Sequence, residues 1–130
     1  MYIVLDNQSG EAFYRQIVEQ VKYLVASGQV KPGEKLPSIR ELAGQLSINP
    51  RTVVKAYEQL RSEGLAVMRQ GQGVFVTENR AVSPSGLRQS QIEEMAKRMF
   101  AEGRRIGASK EEIMNIIKQV AKRIEEKSNE

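Results

Sequence analysis

The sequence predicts a mainly α-helical chain with a small β wing, in which a winged helix-turn-helix is followed by a two-helix tail. Apolar residues recur at helical spacing in five segments, and only about four residues separate the second segment from the third. Two short strand-like runs around a glycine-rich turn follow the third segment. We therefore expect a winged helix-turn-helix domain over residues 1–77, a linker over 78–86 and a helical region over 87–130.

Composition narrows the classes of function. The chain of 130 residues has no Cys and no His, which removes disulfides, thiolate metal sites and the commonest general base. We expect no enzyme activity, no metal and no cofactor. No apolar run approaches the ~18–20 residues that a membrane span needs, and residues 1–6 are too short for a signal peptide, so we expect a cytoplasmic protein without a membrane partner. The net charge of +4 divides equally between residues 1–80 and 81–130 and identifies no partner.

The first helix is predicted from a single apolar stripe. Residues 2–5 are β-prone, and residues 7–10 have the composition of a turn. Apolar side chains then recur at positions i, i+3, i+4 and i+7 from Tyr14 to Val25. Gly28 suits the position after the helix, and the two prolines of residues 30–37 predict a constrained loop.

The next two helices carry clear start signals. Ser38 and Glu41 form a capping box, and Asn49 followed by Pro50 combines a strong N-cap with a residue suited to the first helical position. The inner face of the third helix is predicted to contain Val53, Ala56, Tyr57 and Leu60.

A hairpin completes the predicted wing. Residues 65–69 and 74–77 are strand-like and flank Gln70–Gly73. Gly71 and Gly73 allow the positive φ angles of a tight turn.

The chemistry of the third helix suits DNA. In a winged helix-turn-helix, the second helix of the motif enters the major groove with its N-terminal residues leading. Here that end runs from Asn49 to Thr52, and its helix dipole favours a phosphate. Arg51 can bind guanine through two hydrogen bonds, and Asn49 can bind adenine or a phosphate. Val54 suits a thymine methyl group, although exposed aliphatic residues are also common without a function.

Two further segments supply candidate contacts. Arg40 lies off the apolar stripe of the second helix and suits the DNA backbone or a base edge; the alternative is a solvated Arg paired with a neighbouring Glu. Gly71 lets the backbone approach a phosphate or the minor groove; the alternative is an ordinary hairpin turn. The predicted DNA-binding residues are Ser38, Arg40, Asn49, Pro50, Arg51, Thr52, Val54, Lys55, Arg69, Gln70, Gly71 and Gln72.

These motifs together resemble the GntR family of bacterial transcription regulators over roughly residues 10–77. The matching segments are Tyr14–Ile17, Gly28–Gly33, Leu36–Ala43, Asn49–Val53, Ala56-Tyr57, Leu60, Glu63–Leu65 and Gly71–Val76. The short tail is similar to that of the YtrA-like subfamily. This resemblance implies a dimeric repressor, often encoded with ABC-transporter genes, whose tail serves dimerisation.

The resemblance also bears on single residues. It supports DNA contact by Ser38, Arg40, Thr52, Gln70 and Gly71, whereas Asn49, Arg51 and Lys55 rest more on their own chemistry. The chain departs from the family pattern in one helix. Pro50 and Val54 occupy positions that are often Arg, and Arg51 occupies one that is often Thr. The operator sequence of other family members therefore does not carry over.

The tail predicts self-association. Gly103 and Gly107 bracket a break between two amphipathic helices, and Ser109 to Glu112 forms a second capping box. A helical hairpin of this size does not form a stable core alone, so we expect a homodimer that binds a palindrome. The alternative is packing against the first helix of the same chain. The predicted dimerisation residues are Ile92, Met95, Met99, Phe100, Ile113, Ile116, Ile117, Val120 and Ile124.

The sequence thus predicts a DNA-binding transcriptional regulator, a repressor that binds an inverted-repeat operator in double-stranded DNA as a homodimer. The resemblance adds an ABC-transporter operon as the regulated unit. The alternative function is a winged-helix module for protein interaction without DNA. An enzyme is disfavoured, because the paired glutamates 93–94 and 111–112 are better explained as charges near helix starts. A small-molecule effector stays open.

Overall fold

The computed structural model of the chain describes residues 1–78 and 83–128. Within these ranges the elements are α1 (Phe13–Ala26), α2 (Ile39–Leu46), α3 (Pro50–Ser62), β1 (Ala66–Arg69), β2 (Gly73–Val76), α4 (Pro84–Arg105) and α5 (Lys110–Ser128). The predicted fold class is confirmed. The chain divides into two compact units, an N-terminal unit of residues 1–90 and a C-terminal unit of residues 91–130. None of the described helices is long and apolar enough to cross a membrane.

Helix α3 is the centre of the N-terminal unit, because both α1 and α2 pack against it. Its predicted inner face is confirmed, since Val53, Ala56, Tyr57 and Leu60 are all buried. Ile17 of α1 and Leu42 of α2 are also fully buried in the same core. Burial of each such aliphatic side chain contributes about 1.5–3 kcal/mol, so the inner face holds α3 firmly in the core. The opposite face of α3 is exposed.

The turn between α2 and α3 follows from its caps. The Ser38 hydroxyl accepts the Glu41 N–H at 3.0 Å, and the Glu41 carboxylate accepts the Ser38 N–H at 3.4 Å. Ser47 ends α2 in the left-handed region, at a φ of 54°. The Asn49 side chain then accepts the Arg51 N–H at 2.9 Å. Both predicted start signals are therefore confirmed.

The β-prone residues 2–5 form no strand. Ile3 is buried in the core, and the side-chain amide of Gln20 takes the place of a neighbouring strand. It accepts the Val4 N–H at 3.0 Å and donates to the Val4 carbonyl at 2.6 Å. The backbone groups of Val4 are thus satisfied without a neighbouring strand.

The wing is larger than the predicted hairpin. Strands β1 and β2 pair antiparallel, with Val67 opposite Phe75 and Arg69 opposite Gly73. The segment 33–36, predicted as part of a loop, pairs with the other edge of β2. The Gly33 N–H donates to the Val76 carbonyl at 2.9 Å, and the Leu36 N–H donates to the Val74 carbonyl at 2.8 Å. This pairing fixes the wing to the chain that leads into α2.

The tail differs from its prediction at two places. Helix α4 begins at Pro84, inside the predicted linker 78–86, and Leu87 is buried in the N-terminal core. Residues 79–82 of that linker, and the last two residues of the predicted region 87–130, lie outside the described residues. Gly103 is helical and does not mark the break. A Cβ there would lie 2.7 Å from the Ile113 Cδ1 atom, so the glycine permits close packing of α4 on α5.

Candidate nucleic-acid interface

The N-terminal half of α3 forms the centre of the candidate interface. Because α3 buries one face, Asn49, Pro50 and Arg51 are exposed at its start, and Thr52 is half-buried. Val54 keeps 40% of its surface exposed. The first turn also has backbone N–H groups without helical partners and the positive end of the helix dipole. This end can therefore donate to anionic oxygens such as those of phosphate, and the exposed Arg51 and Val54 lie beside it.

Lys55 is exposed as predicted, but its ammonium group has an aromatic neighbour that sequence reasoning missed. The Lys55 Nζ atom lies 4.1 Å from the centre of the Tyr14 ring on α1. An exposed cation–π contact of this kind contributes about 0.5–1 kcal/mol. The contact directs Lys55 toward α1, so its ammonium group lies on that side of α3.

Ser38 and Arg40 lie exposed at the start of α2. The Ser38 oxygen already accepts the Glu41 N–H, yet its hydroxyl proton is still available to a phosphate. Among the described residues, the ion pairs involve other cations, and neither Arg40 nor Arg51 takes part in one. The structure therefore gives no support to the alternative in which Arg40 is paired with a neighbouring Glu.

The tip of the wing is open. Gln70, Gly71 and Gln72 are exposed, and Gly71 has a φ of 75°. The Gln72 N–H donates to the Arg69 carbonyl at 2.9 Å and closes the turn. The Arg69 guanidinium carbon lies 4.5 Å from the centre of the Phe75 ring, which holds this cation against the wing. The tip thus presents two side-chain amides and a bare backbone.

Tyr57 connects the two helices of the motif and was predicted only as a core residue. Its hydroxyl donates to the Pro37 carbonyl at 2.7 Å, just before the cap of α2. Burial, and next the charge of Glu41, raise the pKa of this hydroxyl well above its usual range. Tyr57 therefore stays protonated and fixes the start of α2 relative to α3. No local sequence signal indicates this bond, because the two residues are far apart in the chain.

The predicted dimerisation residues all lie in the C-terminal unit. The prediction of a dimerisation role is corrected for Ile113, because this side chain is buried against Gly103 of its own chain and is only 6% exposed. Phe100 and Ile117 are half-buried. The exposed ones are Ile92, Met95, Met99, Ile116, Val120 and Ile124. Helix α1 buries its own apolar face in the N-terminal core, as the residues Ile17, Val18 and Val21 show.

Comparisons with known proteins identify the family. Residues 13–76 match the model of the gntR family of bacterial regulatory proteins. The HTH-type transcriptional repressor YtrA of Bacillus subtilis (strain 168) is 35% identical over 119 residues, which cover 92% of each protein. The chain belongs to the GntR family. The match to YtrA extends into the tail, which confirms the predicted YtrA-like resemblance of this GntR protein.

Solved structures agree with this assignment. A GntR family transcriptional regulator from Listeria monocytogenes superposes with a TM-score of 0.76 at 28% identity, covering 88% of this chain and 98% of the other. The DNA-binding domain of AraR, solved in complex with operator ORX1, has a TM-score of 0.51 at 28% identity. That match covers 59% of this chain and 93% of the other. These relatives are transcriptional regulators and not enzymes.

Proposed function

We propose that this GntR protein represses transcription by binding double-stranded DNA at an inverted-repeat operator as a homodimer. The observation that carries the proposal is the exposed N-terminal half of α3, which presents Asn49, Arg51 and Val54. The inner face of the same helix is buried in the core and fixes their position. The AraR domain with its operator is similar in structure to this part of the chain. Such a protein acts in the cytoplasm, where the chromosome of a bacterium lies.

In the proposed complex, α3 lies in the major groove. Arg51 donates to guanine, Val54 contacts a thymine methyl group, and Asn49 binds a base edge or a phosphate. Ser38, Arg40 and Lys55 hold the backbone on either side of the groove, and the wing tip with Gln70–Gln72 lies on the backbone or the minor groove. Contacts to bases select the sequence, whereas contacts to phosphates set the register and the salt dependence.

Dimerisation through the tail would place two copies of α3 on one palindrome. The exposed aliphatic side chains of α4 and α5 suit this role, because an isolated helical hairpin leaves such a face in water. By family resemblance, the regulated genes belong to an ABC-transporter operon. Repression then follows when the bound dimer blocks RNA polymerase.

DNA selection followed by binding measurements tests the proposal. Duplexes enriched by the wild-type protein from a random library should contain an inverted repeat with half-sites one or more helical turns apart. Arg51→Ala should lose about 1–3 kcal/mol of binding free energy and relax the preference at one base pair of each half-site. Fluorescence anisotropy on matched single-base duplexes measures both effects.

The control is Lys118→Gln in the C-terminal unit, which removes a positive charge at a residue outside the predicted DNA-binding set and should leave the base preference intact. If the library yields no enriched sequence and no binding appears at low salt, the DNA-binding proposal is wrong. The protein-interaction module then becomes the better explanation.

A further inference from the structure

One face of the wing points to solvent. It includes a residue outside the predicted hairpin, and none of the proposed base contacts lies on it. Residues directly opposite one another in a sheet share a face. Lys35 and Val67 both lie opposite Phe75, and Arg69 lies opposite Gly73 two positions along. We call these five residues the outer wing face. On the other face, Leu36, Val74 and Val76 are buried in the core, whereas Met68 is exposed.

Two basic residues, Lys35 and Arg69, lie at one end of the outer wing face. The Lys35 side chain crosses over Gly73, since a Cβ at Gly73 would lie 2.9 Å from Lys35 Cε and 3.7 Å from Lys35 Nζ. Arg69 is the direct cross-strand neighbour of Gly73. Its guanidinium rests on Phe75, with the central carbon 4.5 Å from the ring centre. Lys35 and Arg69 therefore border the same glycine, at the base of the turn that forms the wing tip.

No carboxylate neutralises this pair among the ion pairs of the described residues. Glu34, beside Lys35 in sequence, alternates to the opposite face and accepts the Lys31 N–H at 3.4 Å. The Glu78 carboxylate occupies the space beside Gly33, at the far end of the strand from the wing tip. The outer wing face is thus positive at the tip end, and the Glu78 carboxylate lies beyond its other end.

We propose that Lys35 and Arg69 together hold one phosphate of the DNA backbone at the base of the wing. This inference rests on the proposed function and adds Lys35, which the sequence placed in a loop, to the interface. Charge complementarity favours a phosphate, and the missing side chain at Gly73 leaves the backbone open to close approach. Lys35 also lies three residues before Ser38, so it continues the row of phosphate contacts from α2 to the wing.

Salt dependence of DNA binding tests the shared phosphate. The probe is a duplex enriched by the wild-type protein, titrated by anisotropy from about 50 to about 200 mM salt. Each lost phosphate contact makes the slope of log K against log salt less steep by about 0.9. The ratio of wild-type to Lys35→Gln affinity should therefore fall by up to about 3.5-fold between about 50 and about 200 mM salt for each bound protomer. Lys35→Arg should restore the slope, and Lys118→Gln should leave it unchanged.

Arg69→Gln and the double variant show whether the phosphate is shared. Two side chains on one phosphate should be non-additive, so the double variant should lose less affinity than the product of the two single losses. Thermal unfolding of each variant confirms that the fold is intact. The inference is overturned if the slope of log K against log salt is the same for Lys35→Gln as for Lys118→Gln. It is also overturned if the loss of affinity in the double variant equals the product of the two single losses. Failure of the wild type to select any duplex would instead overturn the proposed function as a whole.

Discussion

The two units of the chain treat their apolar side chains in opposite ways. In the N-terminal unit, the inner face of α3 is completely buried between α1 and α2. In the C-terminal unit, six of the nine predicted dimerisation residues are exposed, and Ile124 reaches 63%. One unit has completed its core, whereas the other presents an apolar surface. This difference supports separate tasks, with DNA contact in the first unit and self-association in the second.

The largest effect is expected from a substitution that disrupts the buried core of the N-terminal unit. Leu60→Ala removes a fully buried side chain from α3 and should lower the free energy of unfolding by about 2–5 kcal/mol, because a cavity remains. Urea unfolding at a fixed protein concentration measures the loss. Ile124→Ala is the matched control in the tail and should affect dimer dissociation instead. Equal losses of unfolding free energy in the two variants would contradict the division of tasks.

The next effect tests the exposed face of the tail. Ile116 and Val120 are one helical turn apart on α5, so Ile116→Glu with Val120→Glu places two charges in the proposed dimer interface. The dimer should weaken by about 3 kcal/mol or more, because the charges are buried without partners. Sedimentation equilibrium gives the dissociation constant, and anisotropy should show weaker binding to the selected duplex.

Asn115→Glu with Gln119→Glu is the control for net charge. It adds two negative charges one turn apart on a different side of α5, about 100° around the helix axis from Ile116 and Val120. This variant should remain a dimer. If both double variants are dimers, the exposed aliphatic face does not mediate dimerisation.

The helix starts could be predicted because their causes are local. Ser38 with Glu41, and Asn49 with Pro50, satisfy free N–H groups within a few residues, so sequence alone indicates them. Likewise, Arg40 and Arg51 are exposed because they lie off the apolar stripes. The fold class followed from the same stripes together with the glycines of the wing.

The missed features all depend on contacts between distant residues. Segment 33–36 pairs with β2, about forty residues later, and its neighbouring prolines conceal a strand. Glycine commonly ends a helix, yet Gly103 lies within one because Ile113 needs the space. The Lys55 contact with Tyr14 and the position of Lys35 over Gly73 likewise exist only after the elements pack.

The smallest expected effect tests whether the hydrogen bond from Tyr57 to Pro37 fixes α2 relative to α3, or whether apolar packing does so alone. Tyr57→Phe removes the hydrogen bond to Pro37 and should cost about 0.5–1.5 kcal/mol of unfolding free energy at neutral pH. The raised pKa of Tyr57 means that the folded state favours the protonated hydroxyl. This contribution is therefore present below the ordinary Tyr pKa of about 10 and is lost as pH rises through the folded pKa.

Unfolding free energies measured from pH 8 to pH 11 should accordingly fall more steeply for the wild type than for Tyr57→Phe. Binding of the selected duplex at neutral pH provides the second readout, because a displaced α2 moves Ser38 and Arg40 from their phosphates. Tyr23→Phe, at an exposed tyrosine of α1, is the control and should change neither property. Parallel pH profiles for the wild type and Tyr57→Phe would mean that the hydroxyl does not fix α2, and that apolar packing alone sets the spacing of the two helices.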